Sequence, residues 1–188
     1  MSGTSWQQLL ISAQVAGPTL SNSTVATSIL PTQAKVTLPA NFLSIGTILR
    51  CTGIAQVSNV VTTPGSLTLD VRFGAIVVFT GLLNLSATAH TTLPIWYEIL
   101  LTCRAVGGGT SANFMGQGQG SGQPIVRQAG ASDNTQTYGS LPFPNTTPAV
   151  GSGFDSTVSN VIDHFATFSV NTNPTNITLQ EWVIEVLN

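Results

Sequence analysis

In Leu67-Thr68-Leu69-Asp70-Val71-Arg72-Phe73, apolar side chains occupy the odd positions and polar ones the even positions. A period of two is the mark of a β-strand with one face on a core and the other turned outward. Thr47 to Ile54 is a second such run, rich in Ile, Leu and Thr. Pro94 to Arg104 is a third, long and mostly apolar, which predicts a strand covered on both faces or nearly so. Ala75 to Phe79 and Phe165 to Val170 are shorter candidates, and the last strand is expected over Asn176 to Leu187. Alternation in that last run puts Trp182, Ile184 and Val186 on one face. It puts Ile177, Leu179, Glu181, Val183, Glu185 and Leu187 on the other.

Turn residues separate these runs. Thr63-Pro64-Gly65 is a type II signal, because Pro presets φ and Gly accepts the positive φ that follows. Leu38-Pro39-Ala40-Asn41 and Gly107-Gly108-Gly109 interrupt the chain in the same way. Many short strands with such turns predict an all-β, antiparallel β-sandwich or barrel. Helix is expected only in short pieces, at Ser5 to Ser12 or Thr157 to Phe165.

Residues 1–30 are rich in Ser and Thr yet carry scattered apolar side chains. They are expected to form an N-terminal arm or edge strand laid on a neighbour, with Trp6, Leu9 and Leu10 as its anchors. Residues 31–188 are expected to form a single β-sandwich domain with an irregular loop region near 116–152, where Gly and Pro concentrate.

The chain is 42% hydrophobic but only 6% charged, against about 25% charged in a typical soluble domain. Disorder pairs low hydrophobicity with high net charge, so this composition points away from it. The charge deficit instead predicts a folded surface of Thr, Ser, Asn, Gln and Gly, much of it covered by neighbouring subunits. Interface cores exclude Lys, Glu and Asp because desolvating an unpaired charge is costly.

Lys35, Arg50, Arg72, Arg104 and Arg127 form no run or stripe, so the electrostatic footprint of nucleic-acid binding is missing. No apolar stretch reaches membrane-spanning length, and the opening residues lack the basic start of a secretory signal. Asp70 and Arg72 share one strand face, Glu98 and Arg104 share a face of another, and Arg50 lies on a third strand. These side chains are expected either to pair across neighbouring strands or to fix register between subunits. Cys51 and Cys103 sit in apolar runs and read as buried thiols, with a disulfide left open by the spacing.

Candidates for chemistry are few. Asp163-His164 has the residue types of half a triad, but strand neighbours point to opposite faces and no Gly-x-Ser-x-Gly elbow supplies a nucleophile. His164 is therefore expected on the surface or at a subunit contact. Gly116-Gln117-Gly118-Gln119-Gly120-Ser121-Gly122 fits neither a Walker loop nor a dinucleotide fingerprint, and reads as a flexible or interface-lining loop. No close Cys/His pairs suggest a metal, and no cofactor is expected.

Several segments carry a resemblance. Leu38-Pro39-Ala40-Asn41-Phe42-Leu43 with Gly46-Thr47-Ile48-Leu49-Arg50 and Gly53 is similar to the early strands of phage virion jelly rolls. The same holds for Thr62 through Gly74, for Leu100 through Gly107, and for Phe154-Asp155-Ser156-Thr157 with Glu181 through Asn188. The chain resembles the small structural proteins of tailed bacteriophages, of the capsid decoration or cement type, whose better-understood members are tumour-necrosis-factor-like jelly rolls that form trimers. The resemblance implies a jelly-roll-like sandwich, a homotrimer, and the phage major capsid protein as partner. It implies a place on the capsid exterior after assembly in the host cytoplasm, and brings no catalytic residues. A receptor-binding module at a tail or fibre tip, recognising host glycan or protein, is the alternative, with Tyr138 and Phe143 as its aromatic candidates. A hydrolase of host glycans is the third class, and His164→Ala is its test.

Overall fold

The computed structural model describes residues 6–60, 63–122, 125–127, 140–144 and 146–187. Its strands are β1 (Gln7–Ser12), β2 (Leu20–Ser21), β3 (Thr27–Ser28), β4 (Thr37–Leu38), β5 (Ile48–Asn59), β6 (Ser66–Phe73) and β7 (Ile76–Leu85). They continue as β8 (His90–Ala105), β9 (Asn113–Ser121), β10 (Val126–Arg127), β11 (Leu141–Phe143), β12 (Asn160–Phe168) and β13 (Asn176–Leu187). Two antiparallel sheets pack face to face. The first has the order β1-β13-β5-β8-β9-β11, with β2 also on β13; the second has β10-β7-β6-β12-β3, with β4 also on β12.

The order β1-β13-β5-β8 facing β3-β12-β6-β7 is a jelly roll. The chain crosses between sheets from β2 to β3, β4 to β5, β5 to β6, β7 to β8, at each step from β9 through β12, and from β12 to β13, while β6–β7 and β8–β9 are hairpins within a sheet. β9 and β11 widen the first sheet beyond that core. Gly65 takes the positive φ expected of it, +65°, in the irregular stretch that leads into β6, where no turn is formed over residues 63–65.

Inward-facing side chains of both sheets make one continuous core that includes Leu49, Leu67, Leu69, Ile99, Leu101, Phe168 and Ile184. Phe73, Phe114 and Phe154 gather with ring centroids 4.8–5.4 Å apart and join the two sheets. Cys51 and Cys103 are both buried and unbridged, and burial pushes the Cys51 thiol up to about 12. The disulfide left open by the sequence is not formed.

Four expectations need correction. The segments read as short helices are strands: β1 pairs with β13, and β12 lies inside the second sheet between β6 and β3. A helix this short is marginal alone, whereas a strand docked on a sheet recovers its backbone hydrogen bonds from the neighbour. In β13 a bulge between Leu179 and Glu181 inserts one extra residue and reverses the alternation. Ile177 and Leu179 therefore join Trp182, Ile184 and Val186 in the core.

The third correction concerns the glycine run. Gly116, Gly118 and Gly120 lie in β9, so the loop expected near 116–152 begins later. A Cβ on Gly116 would sit 2.5 Å from the Phe79 ring, and one on Gly122 would sit 2.3 Å from Ile95. The missing side chain at Gly116 lets Phe79 of the second sheet pack against β9, and that at Gly122 makes room for Ile95 of the neighbouring β8. The fourth is His164, which is wholly buried instead of lying on a surface or subunit contact.

The segment 1–30 supplies β1, β2 and β3. β1 forms an outer edge of the first sheet. Trp6 and Leu9 are 42% and 56% exposed, while Leu10 packs partly into the core of its own chain.

Candidate assembly face

The odd positions of β8 from Leu93 onward are apolar, the even ones mix Pro94, Trp96 and Leu100 with Glu98, Thr102 and Arg104, and the fold covers only the odd ones. Ile95, Tyr97, Ile99, Leu101 and Cys103 are buried, whereas Trp96, Glu98 and Thr102 are half-buried and Leu100 and Arg104 exposed. The strand expected to be covered on both faces therefore presents one of them to the outside. Strand register extends this open face across the first sheet. One row runs Gln7, Leu187, Ile48, Thr102, Met115, and the next runs Leu9, Glu185, Arg50, Leu100, Gln117. Below these come Ser12, Val183, Thr52, Glu98, Gln119, and then Glu181, Ile54, Trp96, Ser121.

The upper two rows hold Leu9, Leu187, Ile48, Leu100 and Met115 around a single ionic cluster. Arg50 Nη1 lies 3.4 Å from Glu185 Oε2, and its Nε lies 3.7 Å from Glu98 Oε2. The Arg50 Nε is itself sealed from solvent without a hydrogen-bond partner. Partly exposed pairs of this kind contribute under about 1 kcal/mol each, and one guanidinium between two carboxylates leaves the cluster with one negative charge in excess. Arg104 stands exposed further along β8, outside the cluster.

The other charges expected to pair lie on the second sheet's outer face, in contacts within the chain. Arg72 Nη2 donates to Asp70 Oδ2 at 2.7 Å along one strand, and the guanidinium sits 4.1 Å over the Phe165 ring. Lys35 Nζ lies 2.6 Å from Asp163 Oδ2, and Ser28 Oγ donates to Asp163 Oδ1 at 2.7 Å. Asp163 thus points outward while its neighbour His164 points into the core.

His164 ties the two sheets together. Its Nδ1 lies 2.9 Å from the Asp70 carbonyl, which can only accept, so Nδ1 carries the proton. Nε2 then accepts from the Tyr97 hydroxyl at 2.8 Å. The imidazole stacks on Trp182 with centroids 4.3 Å apart and planes 17° apart. Burial holds this imidazole down to about 4, well below its ordinary value. A neutral, fully enclosed His has no face for a substrate, so the Asp163-His164 pair is not assembled as a dyad. The signal available in the sequence was Ile162, Ala166 and Phe168 at the same parity as His164, which marks it as inward-facing.

Among the described residues, no group of three or more His, Cys, Asp or Glu is placed to hold a metal ion. No helix among them is long and apolar enough to cross a membrane. Tyr138 lies outside the described residues, and Phe143 falls in β11 beside Gly118.

No family model matches the chain, and no curated protein matches it. A solved structure that is similar is the CBM2 module of the evolved Dit of Lactobacillus casei BL23 phage J-1. It shares 11% identity with this chain, with 82% of this chain and 68% of that one covered, at a TM-score of 0.37.

Proposed function

We propose that the chain is a non-enzymatic structural subunit of a bacteriophage virion, assembling with copies of itself through the upper two rows of its first sheet's outer face, around Leu9, Leu100 and Met115. The observation that carries this reading is the outward face of β8, where Trp96 and Leu100 stand among polar neighbours without a cover from their own chain. Apolar side chains spread over adjacent strands, with Arg50 paired to both Glu98 and Glu185 among them, suit a surface that is largely desolvated on assembly. The β1 edge strand adds unpaired backbone groups next to the exposed Leu9 and Trp6. The sequence resemblance to phage virion jelly rolls supports the same reading and suggests a homotrimer.

Sedimentation or native mass measurement at micromolar concentration tests it. The wild-type protein is expected to run as an oligomer and Leu100→Glu as a monomer with unchanged β content. A wild-type monomer would remove the main support for the proposal.

Two places in the virion are compatible with such a subunit. As a capsid decoration protein it would bind between major capsid proteins and stabilise the head through many symmetry-repeated contacts. As a receptor-binding module at a tail or fibre tip it would recognise a host surface glycan or protein. The tip reading is favoured by a cleft of about 700 Å³ beside Trp96. Copy number separates them: a decoration protein is present at many copies per particle and a tip module at few.

A further inference from the structure

The lower part of the first sheet's outer face differs in chemistry from the rows above it. Glu181 of β13, Ile54 of β5, Trp96 of β8 and Ser121 of β9 lie side by side across four paired strands. Trp96 and Ile54 are half-buried, and with Pro94, Ser121, Gly122 and Ser140 they line the open cleft. The cleft's β9–β11 wall is polar and already ordered. Ser140 Oγ lies 3.2 Å from Gln119 Oε1, and a Ser140 hydroxyl that donates there leaves the Gln119 amide hydrogens turned to solvent. The far end of the row is closed by the exposed Glu181 carboxylate.

We infer that this row is a binding site for a neutral saccharide, with Trp96 as the stacking platform. The inference rests on the receptor-binding reading above and names the ligand class of that site. A pyranose ring presents a flat face of C–H groups and a rim of hydroxyls. A half-buried indole beside Ile54 and Pro94 matches the face, and Gln119, Ser121, Ser140 and Glu181 match the rim. The row spans three strand spacings of ~4.8 Å, room for about two or three sugar rings. It contains no Lys or Arg, and Glu181 adds a negative charge, so an acidic glycan is repelled. An extended peptide would add to a sheet edge, whereas this cleft opens on a face.

Calorimetric titration of the full chain with hexasaccharides of glucose, galactose, rhamnose and N-acetylglucosamine tests the site. One of them is expected to bind, with affinity about tenfold or more weaker in Trp96→Ala and partly kept in Trp96→Phe. Val158→Ala, exposed in the loop before β12 of the second sheet, is expected to leave binding unchanged. Absence of binding by all four at roughly 10 mM overturns the inference, as does binding that survives Trp96→Ala. A Trp96→Ala protein that changes mass in solution instead of sugar affinity also overturns it, because the row would then be a subunit contact. Failure here leaves the virion-subunit reading intact, since that reading is tested by particle copy number and by Leu100→Glu.

Discussion

Lowering the pH from 7 to 4 is expected to remove on the order of 3 kcal/mol of folding stability through His164 alone. The unfolded chain protonates this imidazole near its ordinary value of 6.5, whereas the folded chain does so only at about 4. Between those values the unfolded state holds more protons, so stability falls as the pH falls. The contribution is complete above about 6.5, shrinks through the window, and stops changing below about 4.

The first cause is burial, which denies the imidazolium its water. Geometry adds a second obstacle, because a proton on Nε2 ends the hydrogen bond accepted from Tyr97. The groups around the ring do not compensate. The Asp70 carbonyl and the carboxylates of Asp70 and Asp163 favour the charged form, but less than burial opposes it. Cys51, near Tyr97, is a neutral thiol at these pH values, and Trp182 offers only its stacked face. Urea unfolding at pH 7, 5.5 and 4 is the measurement, with His164→Gln as the comparison because it keeps the carboxylates that also titrate in acid. Parallel losses in the two proteins would refute the assignment. Direct titration of the His164 ring by NMR in the wild type reads the same quantity without any substitution.

Gly53→Ala is expected to cost about 4 kcal/mol, through overpacking and a broken buried hydrogen bond together. A Cβ at this position would lie 2.3 Å from Tyr97 Cζ and 2.5 Å from its hydroxyl oxygen. Tyr97 cannot swing aside, because it is fully buried, hydrogen-bonded to His164 and flanked by Trp182. Any displacement of the ring leaves His164 Nε2 without its donor in a water-free core. Tyr97→Phe separates the two contributions. It removes only the hydroxyl and is expected to cost about 1–2 kcal/mol, less than half the effect of the glycine substitution. Thermal and urea unfolding of the two variants check this. Equal losses would mean that the added methyl group is accommodated and the steric argument fails.

His164 and Tyr97 thus join the two sheets by a buried polar contact within a largely apolar core. The first sheet receives Tyr97 and Trp182 on its inner side and presents Trp96, Leu100 and Arg50 on its outer side. Substitutions at Gly53 or His164 therefore report on the fold, while those at Leu100 or Trp96 report on what the folded surface does. The glycine stripe of β9 serves the first role: it lets Phe79 of β7 approach the inner side of the sheet whose outer side forms the cleft.

The all-β class and most strand positions were legible in the sequence. Alternation is a local property that survives whatever the partner strand turns out to be. Leu67 to Phe73 came through unchanged for that reason. Tertiary structure alone decided which face each residue occupies wherever local period and pairing disagree. The bulge in β13 moved Ile177 and Leu179 to the core side, and docking made strands of two segments that read as short helices. It also sealed His164 behind Tyr97 and Trp182, residues far from it in the chain. The open outer face of β8 belongs to the same class of fact. Composition states that a segment is apolar, but only the arrangement of the sheets determines how much of it one chain covers by itself.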